Sequence, residues 1–271
     1  MCGIAGYTHR SLDENVIRRM TASITHRGPD QQGCFTTPDI ALGAVRLQVI
    51  DLDGGEQPMR LEDGQTAVVY NGEIYNFKEL RLELEALGHR FRSDCDTEVA
   101  LRAFAEWDTD CFRRFRGMFA LAIWSGRDKR LVLARDRMGI KPLYIRHTGR
   151  DIVFGSELKA LFAHPRVTRK LDRAALQAFL SLNYVPSPRT LVEGIEKLPS
   201  GHYLEWRDGV ETVTAYWKLS MKPDESIREE AAIEELDSLL RTSVREHLVS
   251  DVPLGIWASG GLDSSTLLHY A

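Results

Sequence analysis

The opening heptapeptide "MCGIAGY" places a cysteine directly after Met1. Cysteine is ordinarily buried and inert, so Cys2 is either incidental or placed so that its thiol lies beside its own α-amino group once Met1 is removed. A freed α-amine has a reference pKa of about 7.7–8.0 and would serve as base for the thiol without a histidine, as it does for N-terminal threonine nucleophiles. Near the other end, "PLGIWASGGLDSS" (253–265) reads as an apolar strand, a two-glycine turn and a hydroxyl-rich helix start. Close backbone approach, several N–H donors and a helix N-terminus are what a pyrophosphate requires. Ser259, Gly260, Gly261, Ser264 and Ser265 would form that cradle, with Asp263 holding the turn or assisting a metal–phosphate cluster. The lysine of the G-x-x-x-x-G-K-[ST] loop is missing. Other polar residues have ordinary readings when taken singly: Asp96 caps a helix, Asn71-Gly72 makes a hairpin turn, and Arg46 is a solvated strand residue.

Composition narrows the classes. The chain has 271 residues, 43% of them hydrophobic and 27% charged, as expected of a globular protein with one large or two smaller domains. A net charge of −4 advertises no basic face for nucleic acid or an anionic membrane. The longest apolar run, "MFALAIW" (118–124), suits a buried strand and is too short to span a bilayer. No charged segment followed by an apolar one marks a secretory signal, so the cytoplasm is the expected compartment. The four cysteines are far apart without C-x-x-C, and the histidines show no paired metal spacing, so no metal ligands are assigned and Cys34, Cys95 and Cys111 read as buried or incidental.

The elements that must position these residues follow from periodicity. A helix is expected over 13–25, capped by Asp13, with Val16, Ile17, Met20 and Ile24 on one face. Strands are expected over 40–50 and 66–75, with turn chemistry in "DLDGGEQPM" between them. Asn76 and Glu79 form a capping-box pattern for a helix to about Leu87, with Gly88 as its C-cap, and another helix should run over 97–107. Residues 117–157 read as a four-stranded antiparallel meander, in which Arg135 and Asp136 pair beneath the site. Helices at 157–164 and 172–182 and two strands in 201–217 complete an α+β unit over 1–222. From 223 the texture changes to a long amphipathic helix, then the strand "VPLGIWA" (252–258) and the glycine turn, the opening of an α/β unit over 223–271. One strand and its helices cannot bury their faces alone, so the chain reads as a fragment of something longer.

Motifs through most of the chain tie these features together. "MCGIAG", "HRGPD", "RLQVIDL", "EQPM", "YNGEIYN", "DTEV", "RDRMGIKPLY" and "FGSELKAL" stand in the order and approximate spacing of the glutamine amidotransferase domain of glutamine-hydrolysing asparagine synthetases, and "SDVPLGIWASGGLDSS" resembles the nucleotide loop of the same enzymes. The resemblance implies an N-terminal nucleophile fold, an αββα sandwich of antiparallel sheets, followed by the start of an ATP-pyrophosphatase domain. It makes Cys2 the nucleophile on the glutamine side-chain amide, with the Asn71 side chain and the Gly72 N–H as oxyanion donors. Arg46 would hold the α-carboxylate, for which a planar guanidinium is suited, and Glu73 and Asp96 the α-amino group. The glycine–serine loop would bind ATP with Mg2+ for AMP-forming activation of aspartate, which ammonia from Cys2 then amidates. The expected partners are small molecules, with no nucleic acid and no membrane; a homodimer stays open.

Two positions depart from the family's pattern. Trp257 stands where a smaller aliphatic residue packs near adenine, and Gln48 replaces a small hydroxyl residue after Arg46. The alternatives are an amidotransferase of this architecture acting on a different carboxylate, or a catalytically silent module that keeps the fold. Cys2 argues against the β-lactam synthetases, and "SGGLDSS" against the sugar-phosphate and phosphoribosyl amidotransferases.

Overall fold

The computed structural model describes residues 2–8, 14–223 and 225–271. In chain order the elements are β1 (Gly3–Thr8), α1 (Asn15–Ala22), β2 (Gln31–Thr36), β3 (Ile40–Arg46), β4 (Met59–Arg60), β5 (Thr66–Ile74), α2 (Phe77–Ala86), α3 (Asp96–Trp107), α4 (Cys111–Arg114), β6 (Gly117–Ser125) and β7 (Arg130–Arg135). They continue with β8 (Tyr144–Thr148), β9 (Asp151–Gly155), α5 (Leu158–Phe162), α6 (Arg173–Leu182), β10 (Ile195–Lys197), β11 (His202–Arg207), β12 (Val210–Ala215), α7 (Glu229–His247) and α8 (Leu262–Tyr270). The strands form two six-stranded antiparallel sheets, ordered β10-β8-β9-β1-β3-β2 and β12-β11-β7-β6-β5-β4.

The four layers follow from which faces are apolar. Ile4, Leu42 and Phe154 of the first sheet meet Val69, Trp124 and Leu133 of the second in a central core. The outer face of the first sheet is covered by Val16, Ile17 and Met20 of α1 and by Leu161 of α5. Phe77 and Leu80 of α2, Val99 and Leu101 of α3 and Phe112 of α4 cover the outer face of the second. Strands covered on both faces read as continuous apolar runs, which is why β3 and most of β6 are buried along their length. The result is the αββα sandwich. β1, the strand that begins one residue after Cys2, lies inside the first sheet between β9 and β3.

Several expectations are corrected. The Asp13 cap lies outside the described residues, and the strand expected over 40–50 ends at Arg46, where the chain turns to form a wall of the pocket described below. The run 117–157 is not one meander: β6–β7 belong to the second sheet and β8–β9 to the first, because the turn at 136–143 carries the chain from one layer to the other. Asn76 makes no capping box; its amide donates to Arg114 O and accepts from Arg116 N, while Glu79 pairs with Arg116 at 3.0 Å. Nor do Arg135 and Asp136 pair. Arg135 donates to the carbonyls of Gly139, Lys141 and Leu198, and the buried Asp136 carboxylate accepts the N–H groups of Phe119, Met138, Ile140 and Lys141. Finally, "VPLGIWA" forms no strand and Trp257 is 99% exposed, since no strand among the described residues pairs with this segment.

Candidate functional site

All six residues assigned to glutamine chemistry, Cys2, Arg46, Asn71, Gly72, Glu73 and Asp96, line one pocket of about 160 Å³. That is the size class of a cavity that holds a benzene-sized molecule. The two sheets bring them together: β1 delivers Cys2 and β3 delivers Arg46 from one, while β5 delivers Asn71 to Glu73 from the other and Asp96 begins α3 behind it.

Cys2 is held at its backbone, where its carbonyl accepts from Arg27 Nε at 2.9 Å. Arg27 is itself paired with Glu157 at 3.1 Å. The thiol Sγ lies 3.4 Å from Leu47 N and 3.6 Å from Leu47 O, so it accepts from the Leu47 amide and its S–H donates to the Leu47 carbonyl. Burial pushes the thiol pKa up, with the Leu47 amide opposing. At neutral pH the group therefore rests as a thiol and needs a base to become nucleophilic.

Arg46 is 4% exposed and has its guanidinium partly committed. Nη2 donates to Ile50 O at 2.8 Å and Asp51 O at 2.6 Å, whereas the buried Nη1 has no partner. Two carbonyls thus hold the fork while one nitrogen keeps donors for an anion in the pocket.

Asn71 and Gly72 stand inside β5 opposite Ala120 and Phe119, not in a hairpin turn. Asn71 is fully buried, yet both its amide atoms are without a partner, a cost that a native core avoids unless a ligand supplies the bonds. The Tyr70 and Ile74 N–H groups both point away from β6, donating to Gln57 Oε1 at 2.7 Å and Asp96 Oδ2 at 2.9 Å. Alternation along a strand gives the Gly72 N–H the same direction. A Cβ on Gly72 would lie 2.3 Å from Met118 O, so only glycine lets β5 and β6 pair here. The Asn71 amide and the Gly72 N–H form a donor pair suited to charge developing on a carbonyl oxygen.

The same pocket holds two carboxylates. Asp96 is buried and also accepts from Tyr70 Oη at 2.7 Å; burial raises its pKa and these bonds oppose the rise. Cys95 is the residue that precedes α3, so Asp96 sits in the helix's first turn with its carboxylate turned to β5. Glu73 Oε1 is buried without a partner, and burial, reinforced by the Asp96 carboxylate, pushes its pKa to about 7. Two acidic groups with spare acceptors suit an ammonium ligand, whose charge would draw Glu73 back to the anion.

Lys141 and Gln57 also line the pocket, although their sequence motifs point to no role there. Burial lowers the Lys141 pKa, while Cys2, Glu73 and Asp136 oppose the loss of its charge. Its one sequence signal is its place in the motif "RDRMGIKPLY", from which no role for Lys141 follows. Gln57 props β5 through Tyr70 and exchanges bonds with the Gln31 side chain at 2.8 and 3.1 Å. Gln48 turns away, donating to Leu52 O at 2.7 Å.

The second constellation is separate. Ser259, Gly260, Gly261, Asp263, Ser264 and Ser265 surround the start of α8 and line none of the first pocket. Gly260 has φ +79°, no heavy atom lies within 4 Å of where its Cβ would be, and Ser259 Oγ and Ser264 Oγ are 3.2 Å apart. An open glycine turn ahead of a helix fits a phosphate group. Among the described residues no three His, Cys, Asp or Glu side chains converge on a metal position. Nor is any described helix long and apolar enough to cross a membrane.

A family profile described as glutamine amidotransferase domain matches residues 1–217, and one described as asparagine synthase matches 235–271. The chain is 38% identical over its whole length to asparagine synthetase [glutamine-hydrolyzing] 1 of Bacillus subtilis strain 168, covering 44% of that protein. It is likewise 38% identical over its whole length to asparagine synthetase [glutamine-hydrolyzing] 3 of the same organism, covering 45% of it. The chain thus spans less than half the length of these curated relatives. Among solved structures, glutamine phosphoribosylpyrophosphate amidotransferase from B. subtilis superposes with a TM-score of 0.59 at 20% identity, over 82% of this chain and 50% of that one, a likeness of fold.

Proposed function

This chain belongs to the glutamine amidotransferase domain family, and from that premise we propose that it hydrolyses free L-glutamine at Cys2 and supplies the ammonia to an ATP-dependent synthetase that amidates aspartate. The observation that carries the first half is the convergence, in one pocket, of a half-buried thiol, an unpartnered Asn71 amide, a spare Arg46 nitrogen and two carboxylates.

In this reading Met1 is removed and the α-amine of Cys2 takes the thiol proton. The Sγ then attacks the side-chain amide carbon of glutamine, and the Asn71 and Gly72 donors hold the oxyanion. The amine returns its proton to the leaving nitrogen, ammonia departs and a thioester remains. Water, deprotonated by the same amine, cleaves the thioester to glutamate and regenerates the thiol. Arg46 binds the α-carboxylate, and Glu73 and Asp96 the α-ammonium. Recognition of both charged ends confines the site to the free amino acid and excludes glutamine within a polypeptide.

The second half rests on the match over residues 235–271 and on the names of the relatives. We divide the chain into an amidotransferase domain over 1–222 and the start of an ATP-pyrophosphatase domain over 223–271. The 259–265 turn would hold the ATP phosphates, with Mg2+ carried by those phosphates. ATP there converts a carboxylate oxygen into a better leaving group.

Glutamate release from L-glutamine by the purified chain, beside Cys2→Ala, tests the first half. We expect turnover in the parent, none in Cys2→Ala, and loss of Met1 by intact mass. A parent without Met1 that releases no glutamate overturns the reading. Asparagine formation from aspartate, ATP and glutamine by the whole protein tests the second half.

A further inference from the structure

The wall of the pocket between Cys2 and Arg46 is the segment 47–51, and three of its residues are tied to the site or its supports. Leu47 holds the Cys2 thiol, the carbonyls of Ile50 and Asp51 hold Arg46, and Asp51 Oδ2 accepts Asp94 N at 2.7 Å, next to Cys95 and Asp96. Asp51 adopts φ +50°, a left-handed conformation that a non-glycine residue keeps only when its surroundings enforce it.

What lies on the outside of this wall comes from 200 residues further along the chain. Asp251 N donates to Val49 O at 2.9 Å, and Asp251 Oδ2 accepts Asp51 N at 2.7 Å. Val249 and Val49 both pack against the core that includes Ile50. The preceding helix is anchored nearby: Glu246 pairs with Arg116 at 2.8 Å, and the His247 ring lies 4.2 Å from that of Tyr75. The rest of α7 buries only Val244. These ties sit eight residues before Ser259, at the start of the segment that leads into the glycine turn.

We propose that Asp251 is a positioning residue for glutamine binding, which clamps the 49–51 backbone so that the Ile50 and Asp51 carbonyls aim Arg46 at the substrate carboxylate. The proposal rests on the glutaminase reading. Cys2 rests on the Leu47 backbone and the Arg27 side chain, and Asn71 and Gly72 on the pairing of β5 with β6, whereas Asp251 bonds only Val49 and Asp51, so the effect falls on substrate binding and not on the chemical step.

The test compares Asp251→Ala with Asp251→Asn in the full chain. Alanine removes the acceptor for Asp51 N; asparagine keeps an oxygen there. We expect Asp251→Ala to raise KM for glutamine about 2- to 10-fold, the scale of one hydrogen bond, with kcat near the parental value, and Asp251→Asn to restore the parental KM. Calorimetric titration of glutamine into Cys2→Ala, with and without Asp251→Ala, should show the same shift in Kd. An unchanged KM in Asp251→Ala overturns the proposal, as does a loss confined to kcat or shared equally by both variants, which would assign Asp251 to folding alone. A parent that neither hydrolyses nor binds glutamine overturns the glutaminase reading itself, a result distinct from an active parent insensitive to Asp251.

Discussion

Burial moves the Cys2 thiol and the Glu73 carboxyl in the same chemical direction, toward their uncharged forms, and both must be charged for the proposed reaction. For Glu73 the folded-state pKa of about 7 lies above the ordinary 4.5. The native state therefore binds an extra proton between these values, and the stability this group contributes is present below about 4.5 and lost as pH rises to about 7. Substrate capture has the opposite dependence, because only the carboxylate accepts from an ammonium. We expect kcat/KM for glutamine to rise through pH 7 with one ionisation from Glu73 in addition to that of the Cys2 amine, and Glu73→Gln to remove the first while lowering kcat/KM overall; a pH–rate profile of both proteins decides this. Arg46→Lys should raise KM about 10- to 100-fold, since an ammonium cannot both satisfy two wall carbonyls and present a planar donor pair to a carboxylate. Steady-state kinetics would show it, and a KM near the parental value would remove Arg46 from substrate binding.

Strand β5 and the turn at 136–143 carry the consequences at the next scale. In Gly72→Ala the new methyl meets a backbone oxygen of β6, so the sheet must part where the oxyanion donors sit. We expect a loss of about 1–3 kcal/mol by denaturant titration together with loss of glutaminase activity. Asp136→Ala removes the acceptor for four backbone N–H groups, two of them, Phe119 and Lys141, in buried surroundings. The cost should be about 3 kcal/mol or more, seen by calorimetry as a Tm lower by about 6–12 °C. Both elements also show what local reading leaves out. Asn71-Gly72 and Asp96 each have a valid local meaning, turn and cap, which a neighbouring strand and a long-range hydrogen bond override. Asn76 illustrates the reverse. Its capping-box spacing is present, but the Arg114 and Arg116 backbone groups, 38 and 40 residues away, take its side chain.

At the scale of the molecule, chain continuity and tertiary contact diverge. The coil between β12 and α7 is exposed at Lys218 and Arg228, whereas β1 to β12 form a continuously packed sandwich. Brief trypsin treatment should cut at these two sites before any site within the sheets, which mass spectrometry of the products would establish. Cleavage inside the sheets at a comparable rate would mean that the sandwich is less cooperative than its packing indicates.

The sequence by itself determined which chemistry was at stake, because a thiol next to a potential N-terminal amine and a glycine–serine turn ahead of a helix are local facts, and ordered motifs carried the assignment to Arg46, Asn71, Gly72, Glu73 and Asp96. It also determined most elements, since helical and alternating apolar periods depend only on which face is covered. Only the tertiary structure decided how the four strands of 117–157 divide between two sheets, that 252–258 stays unpaired, and that Lys141, Gln57 and Asp251 stand at or behind the pocket. These outcomes depend on partners between about 10 and 200 residues away, and no local pattern records which distant backbone will arrive to donate, accept or pair.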